Sequence, residues 1–155
     1  MIVIDASVLV AALIGDDPSA RRCRTELRLD PHWITPADAV VETYAAILNL
    51  ADAGTVSEDR ARLAVDLLAS LELELFDIRP QFPRMWRLRG SLGHADASLV
   101  VAALANDCEL LTADPRLAEA ARGHCAVRLL HGLPPLEVDA HASAGAGEDE
   151  AVSTS

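Results

Sequence analysis

The chain has 155 residues, a formal net charge of −11 and 51% hydrophobic residues, of which few are aromatic. This length predicts one domain whose core is built from Ala, Val, Leu and Ile rather than from rings. A charge this negative excludes a passive nucleic-acid binder held only by phosphate neutralisation, although bound cations can reverse the sign locally.

The types of basic residue and the spacing of the cysteines exclude further classes of protein. All thirteen basic residues are arginine, which excludes a P-loop lysine, a Schiff base and the lysine of a receiver domain. The cysteines are Cys23, Cys108 and Cys125, an odd number without CxxC spacing, and free thiols are expected.

No apolar run approaches the roughly 18–20 residues that span a bilayer, and the opening residues lack a basic region typical of a signal peptide. We therefore expect a cytoplasmic protein without a membrane segment.

Strands and helices alternate along the chain. The first half predicts a buried strand at 1–5, helices at 7–14 and 18–28, a short strand at 33–34, a helix from an N-cap at Thr35 to about Ala53, and a helix from Ser57 to Ser70. The second half predicts a strand at 73–78, a helix at 81–92, a buried helix at 96–106, a strand at 109–112, a helix at 115–122 and a strand at 126–130. This alternation predicts an α/β fold, a parallel sheet with helices on both faces.

The last residues differ in composition from the rest. Residues 139–155 are small, polar and acidic, and they cannot bury enough surface to offset the entropy of ordering. We expect a folded domain at 1–138 followed by a disordered acidic tail.

Four acidic residues interrupt apolar segments. Asp5 ends the opening strand, Glu42 lies within an apolar helix, Asp96 opens an apolar helix and Asp114 follows a predicted strand. An ionised carboxylate removed from water is costly unless it is paired or binds a metal, so the four suggest one shared cation site. Asp5 and Asp114 also follow parallel strands, at the sheet edge where ligands bind in open α/β folds.

Each of these acids also has a purely structural explanation. Asp5, Asp96 and Asp114 each precede a predicted helix, so any of them could be an N-cap. Glu42 lies inside its helix and is harder to explain in this way, although it could occupy an exposed face. The capping and site interpretations are compatible, because helix N-termini stabilise negative charge.

Four strings of the sequence resemble a known family. They are MIVIDASVLVAAL with Asp5 and Ser7, TPADAVVETYAAI with Glu42, HADASLVVAALAND with Asp96, and LLTADPRLA with Thr112 and Asp114. In order and spacing they are similar to PIN-domain nucleases, in particular the VapC-type toxins of toxin–antitoxin pairs, over residues 1–133. One departure is His94-Ala95, which replaces the aromatic residue common before Asp96, so that His94 either lines the site or is a loop residue.

The resemblance implies a PIN-like three-layer α/β/α sandwich with a central parallel sheet. It also implies a toxin with Mg²⁺-dependent endoribonuclease activity, with Mn²⁺ as a substitute, which hydrolyses RNA phosphodiesters at a four-carboxylate site. One metal ion or two is left open. Mg²⁺ prefers oxygen ligands, so this donor set suits it.

The resemblance assigns a role to each site residue. Asp5 and Asp96 would be direct metal ligands, and Glu42 and Asp114 would complete the ligand shell or position the attacking water. Ser7 and Thr112 would hold these ligands or the phosphate by hydrogen bonds.

The expected partners are an RNA substrate, a cognate antitoxin and a second copy in a homodimer. A groove for the antitoxin could form from Val8–Ile14, the second helix and the helix of Glu42. No substrate-binding residue is assigned, since two arginine clusters could either hold phosphates or balance the acidic body. The clusters are Arg21, Arg22, Arg24 and Arg28, and Arg84, Arg87 and Arg89. The alternative function is a catalytically silent PIN-like binding or scaffold module, which the presence of all four acids disfavours.

Overall fold

The structure is a computed structural model that describes residues 1–131. The expected tail at 139–155 and the domain boundary at 138 lie outside the described residues, so both stay predictions. No helix within the described residues is long and apolar enough to cross a membrane.

The described chain contains five strands and seven α-helices, and it alternates between them. The first elements are β1 (Ile2–Ile4), α1 (Ala6–Ile14), α2 (Pro18–Leu29), β2 (Trp33–Pro36), α3 (Ala37–Asp52) and α4 (Glu58–Ser70). They are followed by β3 (Glu74–Phe76), one turn of 3₁₀ helix (Arg79–Gln81), α5 (Phe82–Leu88), α6 (His94–Ala105), β4 (Glu109–Thr112), α7 (Pro115–Ala121) and β5 (Val127–Leu129). The existence and order of the predicted elements are confirmed.

The strands form one parallel sheet in the order β3-β2-β1-β4-β5, with β1 at its centre. Ile2 is paired with Trp33 of β2 on one side and with Glu109 of β4 on the other. All three residues of β1 are buried, as expected of a β-branched strand covered on both faces.

Alternate residues of β1 point into different halves of the core. Val3 packs in a cluster with residues of α6 and α7, whereas Ile2 and Ile4 pack in a cluster with residues of α1 and α2. A third cluster fills the space between α1, α3 and α4. Helices therefore cover both faces of the sheet, which confirms the three-layer α/β/α sandwich with a central parallel sheet.

The predicted N-cap at Thr35 is wrong. Thr35 lies in β2, where it is paired with Leu75 of β3, and its hydroxyl donates to the carbonyl oxygen of Ile4 at 2.6 Å. The side chain is thus engaged within the sheet, and α3 begins after Pro36 without a side-chain cap.

The two helices near residue 90 have different limits from those predicted. The expected helix at 81–92 ends at Leu88, and the chain then forms a turn in which Ser91 and Leu92 both donate their backbone N–H groups to the Leu88 carbonyl. Leu92 is then buried in the core, and α6 begins at His94, two residues earlier than expected. Asp96 consequently lies within the first turn of α6 rather than before it.

The cysteines are free thiols, as predicted. Cys23 is fully buried against the α1–α2 side of the sheet, and this burial raises the pKa of its thiol to about 11. It is therefore a core residue rather than a reactive nucleophile.

Candidate active site

Asp5 lies at the carboxyl end of the central strand. Its backbone N–H donates to the carbonyl oxygen of Leu111, extending the contact between β1 and β4 by one residue. Its side chain is only 6% exposed. The sheet therefore places a charged group at the edge where two parallel strands end side by side.

Two hydroxyl groups hold the Asp5 carboxylate. Ser7 and Thr112 both donate to its Oδ2 atom, Thr112 at 2.7 Å. Each hydroxyl oxygen also accepts a backbone N–H, from Ala113 at 3.0 Å for Ser7 and from Asp114 at 2.9 Å for Thr112. Since these oxygens already accept a hydrogen bond from the backbone, their own hydrogens are directed towards Asp5.

The environment of Asp5 disfavours its ionised form in spite of these bonds. Burial raises the pKa of this carboxyl above its ordinary value, and the negative charge of Asp114 raises it further. The hydroxyl hydrogen bonds from Ser7 and Thr112 lower the pKa and offset part of this effect. A buried carboxylate in this position therefore lacks a full counter-charge.

Arg116 joins Asp96 and Asp114. Its Nη1 atom donates to Asp96 Oδ2 at 2.8 Å and its Nη2 atom to Asp114 Oδ2 at 3.1 Å. These contacts raise the pKa of the guanidinium, with the Asp96 hydrogen bond as the main cause. The Arg116 side chain is 70% exposed, so it is an accessible cation held across two acids.

The N-cap explanation holds for one of the three acids. Asp114 caps α7, accepting the backbone N–H of Arg116 at 2.7 Å. Asp5 occupies the N-cap position of α1, but its side chain makes no capping bond. Asp96 is not a cap, because Gly93 occupies that position in α6.

Glu42 projects from α3 and is only partly exposed. Within the described residues, no hydrogen bond or ion pair holds its carboxylate. Its pKa is raised first by burial and then by the negative charges of Asp5, Asp38 and Asp96, whereas His94 lowers it. Acids from the end of β1, from α3 and from α6 are thus close enough to affect the charge of Glu42.

The sequence interpretation missed Asp38, Ser98 and Arg116. Asp38 lies four residues before Glu42 on α3 and accepts the hydroxyl of Ser98 at 2.9 Å. The i, i+4 spacing places two acids on one helix face and could have revealed Asp38. Arg116 follows the cap by two residues, but only the packing of α6 beside α7 brings it to Asp96.

A family model described as the PIN domain matches residues 2–123. The chain belongs to the PIN domain family. Ribonuclease VapC1 of Mycobacterium tuberculosis is 36% identical over 137 residues, covering 83% of this chain and 96% of that protein. Ribonuclease VapC9 of the same species is 29% identical over 130 residues, covering 84% and 98%. The resemblance to VapC-type PIN domains is confirmed.

Solved structures with the same fold are more distant in sequence. VapC20 of Mycobacterium tuberculosis, described as a sarcin-ricin loop cleaving toxin, superposes with a TM-score of 0.59 at 15% identity, covering 77% of this chain and 95% of that one. PAE2754 of Pyrobaculum aerophilum gives a TM-score of 0.60 at 22% identity and covers 81% of both chains. At these identities, the matches establish the PIN fold alone.

The donor atoms at the sheet edge of this PIN domain are of the type that binds hard divalent cations. The side chains at the edge offer carboxylate and hydroxyl oxygens, which Mg²⁺ and Mn²⁺ prefer. Within residues 1–131, however, no group of three or more His, Cys, Asp or Glu side chains is arranged around a common metal position. Arg116 instead neutralises two of the four carboxylates.

The remaining candidates have different surroundings. His94 is the exposed first residue of α6, not a loop residue, and lies within electrostatic range of Glu42. Arg24 on α2 donates to the carbonyl oxygens of Ala12 and Gly15, so it ties α2 to the end of α1. Arg89, which follows α5, lines a groove together with His94 and is considered below.

Without divalent ions, Asp5→Asn is expected to raise the free energy of unfolding at neutral pH, because it removes a charge that burial disfavours. Folding raises the pKa of Asp5, so the ionised carboxylate destabilises the native state at neutral pH, and this cost vanishes as the pH falls towards the ordinary value of 3.8. Urea unfolding in EDTA at about pH 7 and about pH 4 measures the effect.

The matched control is Asp66→Asn on the exposed face of α4, which should leave the free energy of unfolding unchanged. A variant Asp5→Asn that is less stable than the wild type at neutral pH would contradict the interpretation.

Proposed function

We propose that this PIN-domain protein is a divalent-metal-dependent endoribonuclease and the toxin of a toxin–antitoxin pair. The observation that carries the proposal is the buried carboxylate of Asp5, held at the sheet edge by two hydroxyls within reach of other acids. The relatives named ribonuclease VapC1 and VapC9 support the reaction class and RNA as the substrate.

The proposed cofactor is Mg²⁺, with Mn²⁺ as a substitute. When bound among these carboxylates, such an ion lowers the pKa of a coordinated water and stabilises charge on the phosphate oxygens. We assign Asp5 and Asp96 as the direct ligands, and Glu42 and Asp114 to the remaining ligand positions or to the attacking water.

The residues around the proposed metal ligands have separate roles in this mechanism. Ser7 and Thr112 fix the orientation of the Asp5 carboxylate, because both donate to a single oxygen of it. Glu42 has a raised pKa and no hydrogen-bonded partner in the described chain, so it is suited to accept a proton from the attacking water.

Arg116 is proposed to act as an internal counter-ion. It pairs with Asp96 and Asp114, and its guanidinium is exposed, so it could turn away if these carboxylates held a divalent ion. Guanidinium groups bind phosphate by paired hydrogen bonds, so the released side chain would then contact the RNA backbone.

Only part of the surface predicted for the antitoxin from sequence is exposed. Val8 and Leu9 of α1 are fully buried and belong to the core. Exposed apolar side chains lie instead on α3 and on α4, two helices that pack against each other through their buried faces. They are Val41, Tyr44 and Leu48 on α3, and Leu63 and Leu67 on α4. An amphipathic segment of the antitoxin would cover them.

The first test is cleavage of structured RNA with Mg²⁺ or Mn²⁺. Asp5→Asn and Asp96→Asn should each lower the rate at least about 100-fold, because each removes a proposed metal ligand. The exposed Asp66→Asn serves as the matched control and should cleave at the wild-type rate. Metal-independent cleavage, or full activity in both site variants, would refute the mechanism. A folded wild type without activity would instead favour the scaffold function.

A second test concerns Arg116. Arg116→Gln should bind Mn²⁺ about 2- to 10-fold more tightly than the wild type, since it removes a cation that competes for Asp96 and Asp114. Calorimetric titration of the full chain measures this affinity. Arg122→Gln is the control, because Arg122 is exposed and pairs only locally with Glu119. Unchanged or weaker Mn²⁺ binding in Arg116→Gln would show that the guanidinium does not compete with the ion.

A third test concerns the antitoxin surface. Expression of the wild type should arrest growth, and co-expression of a small protein encoded beside this gene should relieve the arrest. Leu63→Glu should still arrest growth but should no longer be relieved, because a charge interrupts the apolar stripe. Leu75→Glu on edge strand β3 is the control, since both leucines are 59% exposed. Relief of Leu63→Glu to the level of the control would exclude this surface.

A further inference from the structure

A groove lies between α5 and the start of α6, beside the acidic edge of the sheet. Its volume is about 520 Å³. It is largely apolar, and its walls include Phe82, Met85, Trp86, Arg89, Leu92 and His94. A groove of this volume accepts a flat aromatic group with its immediate attachments.

Trp86 and Arg89 form a stacked pair in the wall of this groove. The guanidinium carbon of Arg89 lies 4.2 Å from the centroid of the Trp86 ring, and Nη1 of Arg89 donates to the Trp86 carbonyl oxygen at 2.6 Å. The indole is nevertheless 67% exposed. Burial of the core does not explain this position, because a large aromatic side chain left in water gains little free energy from folding.

The charge around the groove is opposite to that of the whole protein. Residues 79–95 contain four arginines and His94 and no acidic residue, in a chain of net charge −11. Arg79 pairs with Asp77, whereas no ion pair within the described residues joins Arg84, Arg87 or Arg89 to an acid. These cations are therefore available to an anionic partner.

His94 connects the groove to the proposed catalytic site. It lines the groove and, from the first turn of α6, lies within electrostatic range of Glu42. Asp96 follows two residues later on the same turn. The groove and Asp96 thus share the first turn of α6.

We propose that this groove binds one unpaired base of the RNA substrate. The base stacks on the Trp86–Arg89 pair, and the basic segment 79–95 attracts the RNA backbone. Aromatic and guanidinium planes are the usual stacking partners of unpaired RNA bases. The inference rests on the proposed ribonuclease function and extends it to a substrate-positioning subsite. The charge favours RNA over a second copy, because in a two-fold dimer through the groove this basic segment would face its own copy, whereas an RNA backbone is anionic.

The direct test is quenching of Trp86 fluorescence by RNA. Trp33 is the other tryptophan, and Trp33→Phe leaves Trp86 as the only reporter. Single-stranded oligoadenylate is titrated into the full chain with Ca²⁺ or EDTA in place of Mg²⁺, so that binding is measured without Mg²⁺-dependent cleavage. An abasic ribose-phosphate oligomer of the same length is the control ligand. We expect quenching by oligoadenylate and none by the abasic oligomer. The converse variant, Trp86→Phe, should show no quenching of Trp33.

A second test measures the affinity for oligoadenylate of Trp86 and Arg89 variants in the otherwise wild-type chain. Trp86→Ala should weaken oligoadenylate binding about 5- to 20-fold, the lower part of the range for loss of one base–aromatic stack. Arg89→Gln should weaken it less and reduce its salt dependence. Leu75→Ala and Arg122→Gln, which lie outside the groove, should bind like the wild type.

Three outcomes separate the possibilities. In the first, the wild type cleaves RNA, and Trp86→Ala binds and cleaves it equally well. This result would overturn the subsite and leave the proposed function intact. Quenching without any cleavage in Mg²⁺ would support the base site and refute the proposed function. Loss of a dimer in Trp86→Ala by analytical ultracentrifugation, without a change in RNA affinity, would assign the groove to a second copy and refute the proposal.

Discussion

The burial of one carboxylate is the constraint on which the candidate site depends. Asp5 follows the central strand, so the pairing of β1 with β4 fixes its backbone before any ligand is present. Two hydroxyls donate to the carboxylate, and backbone N–H groups of the chain after β4 hold their oxygens in turn. The free energy cost of this buried charge is offset only in part by these bonds. The fold thus holds the carboxylate oxygens of Asp5 in a fixed position, and this lowers the stability of the folded state.

Electrostatic repulsion governs the remaining acids around Asp5. The ionised form of Glu42 is disfavoured first by burial and then by three neighbouring carboxylates, whereas Asp96 and Asp114 share the guanidinium of Arg116. The protein supplies this cation from α7. Two of the four candidate ligands are thus paired with Arg116, and their donor atoms also suit a divalent ion. Arg116 is therefore the residue whose charge bears most directly on the proposed metal site.

The distribution of charge explains how such an acidic chain could act on RNA. The sheet edge is negative and needs a cation before a phosphate can approach it. The segment from α5 to the start of α6 is instead basic and aromatic, and it lies against that edge through His94. Cleavage and substrate positioning are therefore assigned to adjacent surfaces of opposite charge. The apolar stripes of α3 and α4 form a separate surface, suited to a protein partner.

The sequence by itself determined the order of the elements, the parallel sheet and the positions of Asp5, Glu42, Asp96 and Asp114, because hydrophobic periodicity and strand ends are local properties. It also indicated the Asp114 cap, which depends on neighbouring residues. Only the tertiary structure decided that Thr35 lies in the sheet, that α6 starts before Asp96, and that Arg116 reaches Asp96. These features depend on strand pairing and helix packing between residues far apart in the chain, and periodicity within one segment carries no information about them. The same reason applies to Trp86, whose exposure beside the site follows from where α5 ends and how α6 packs.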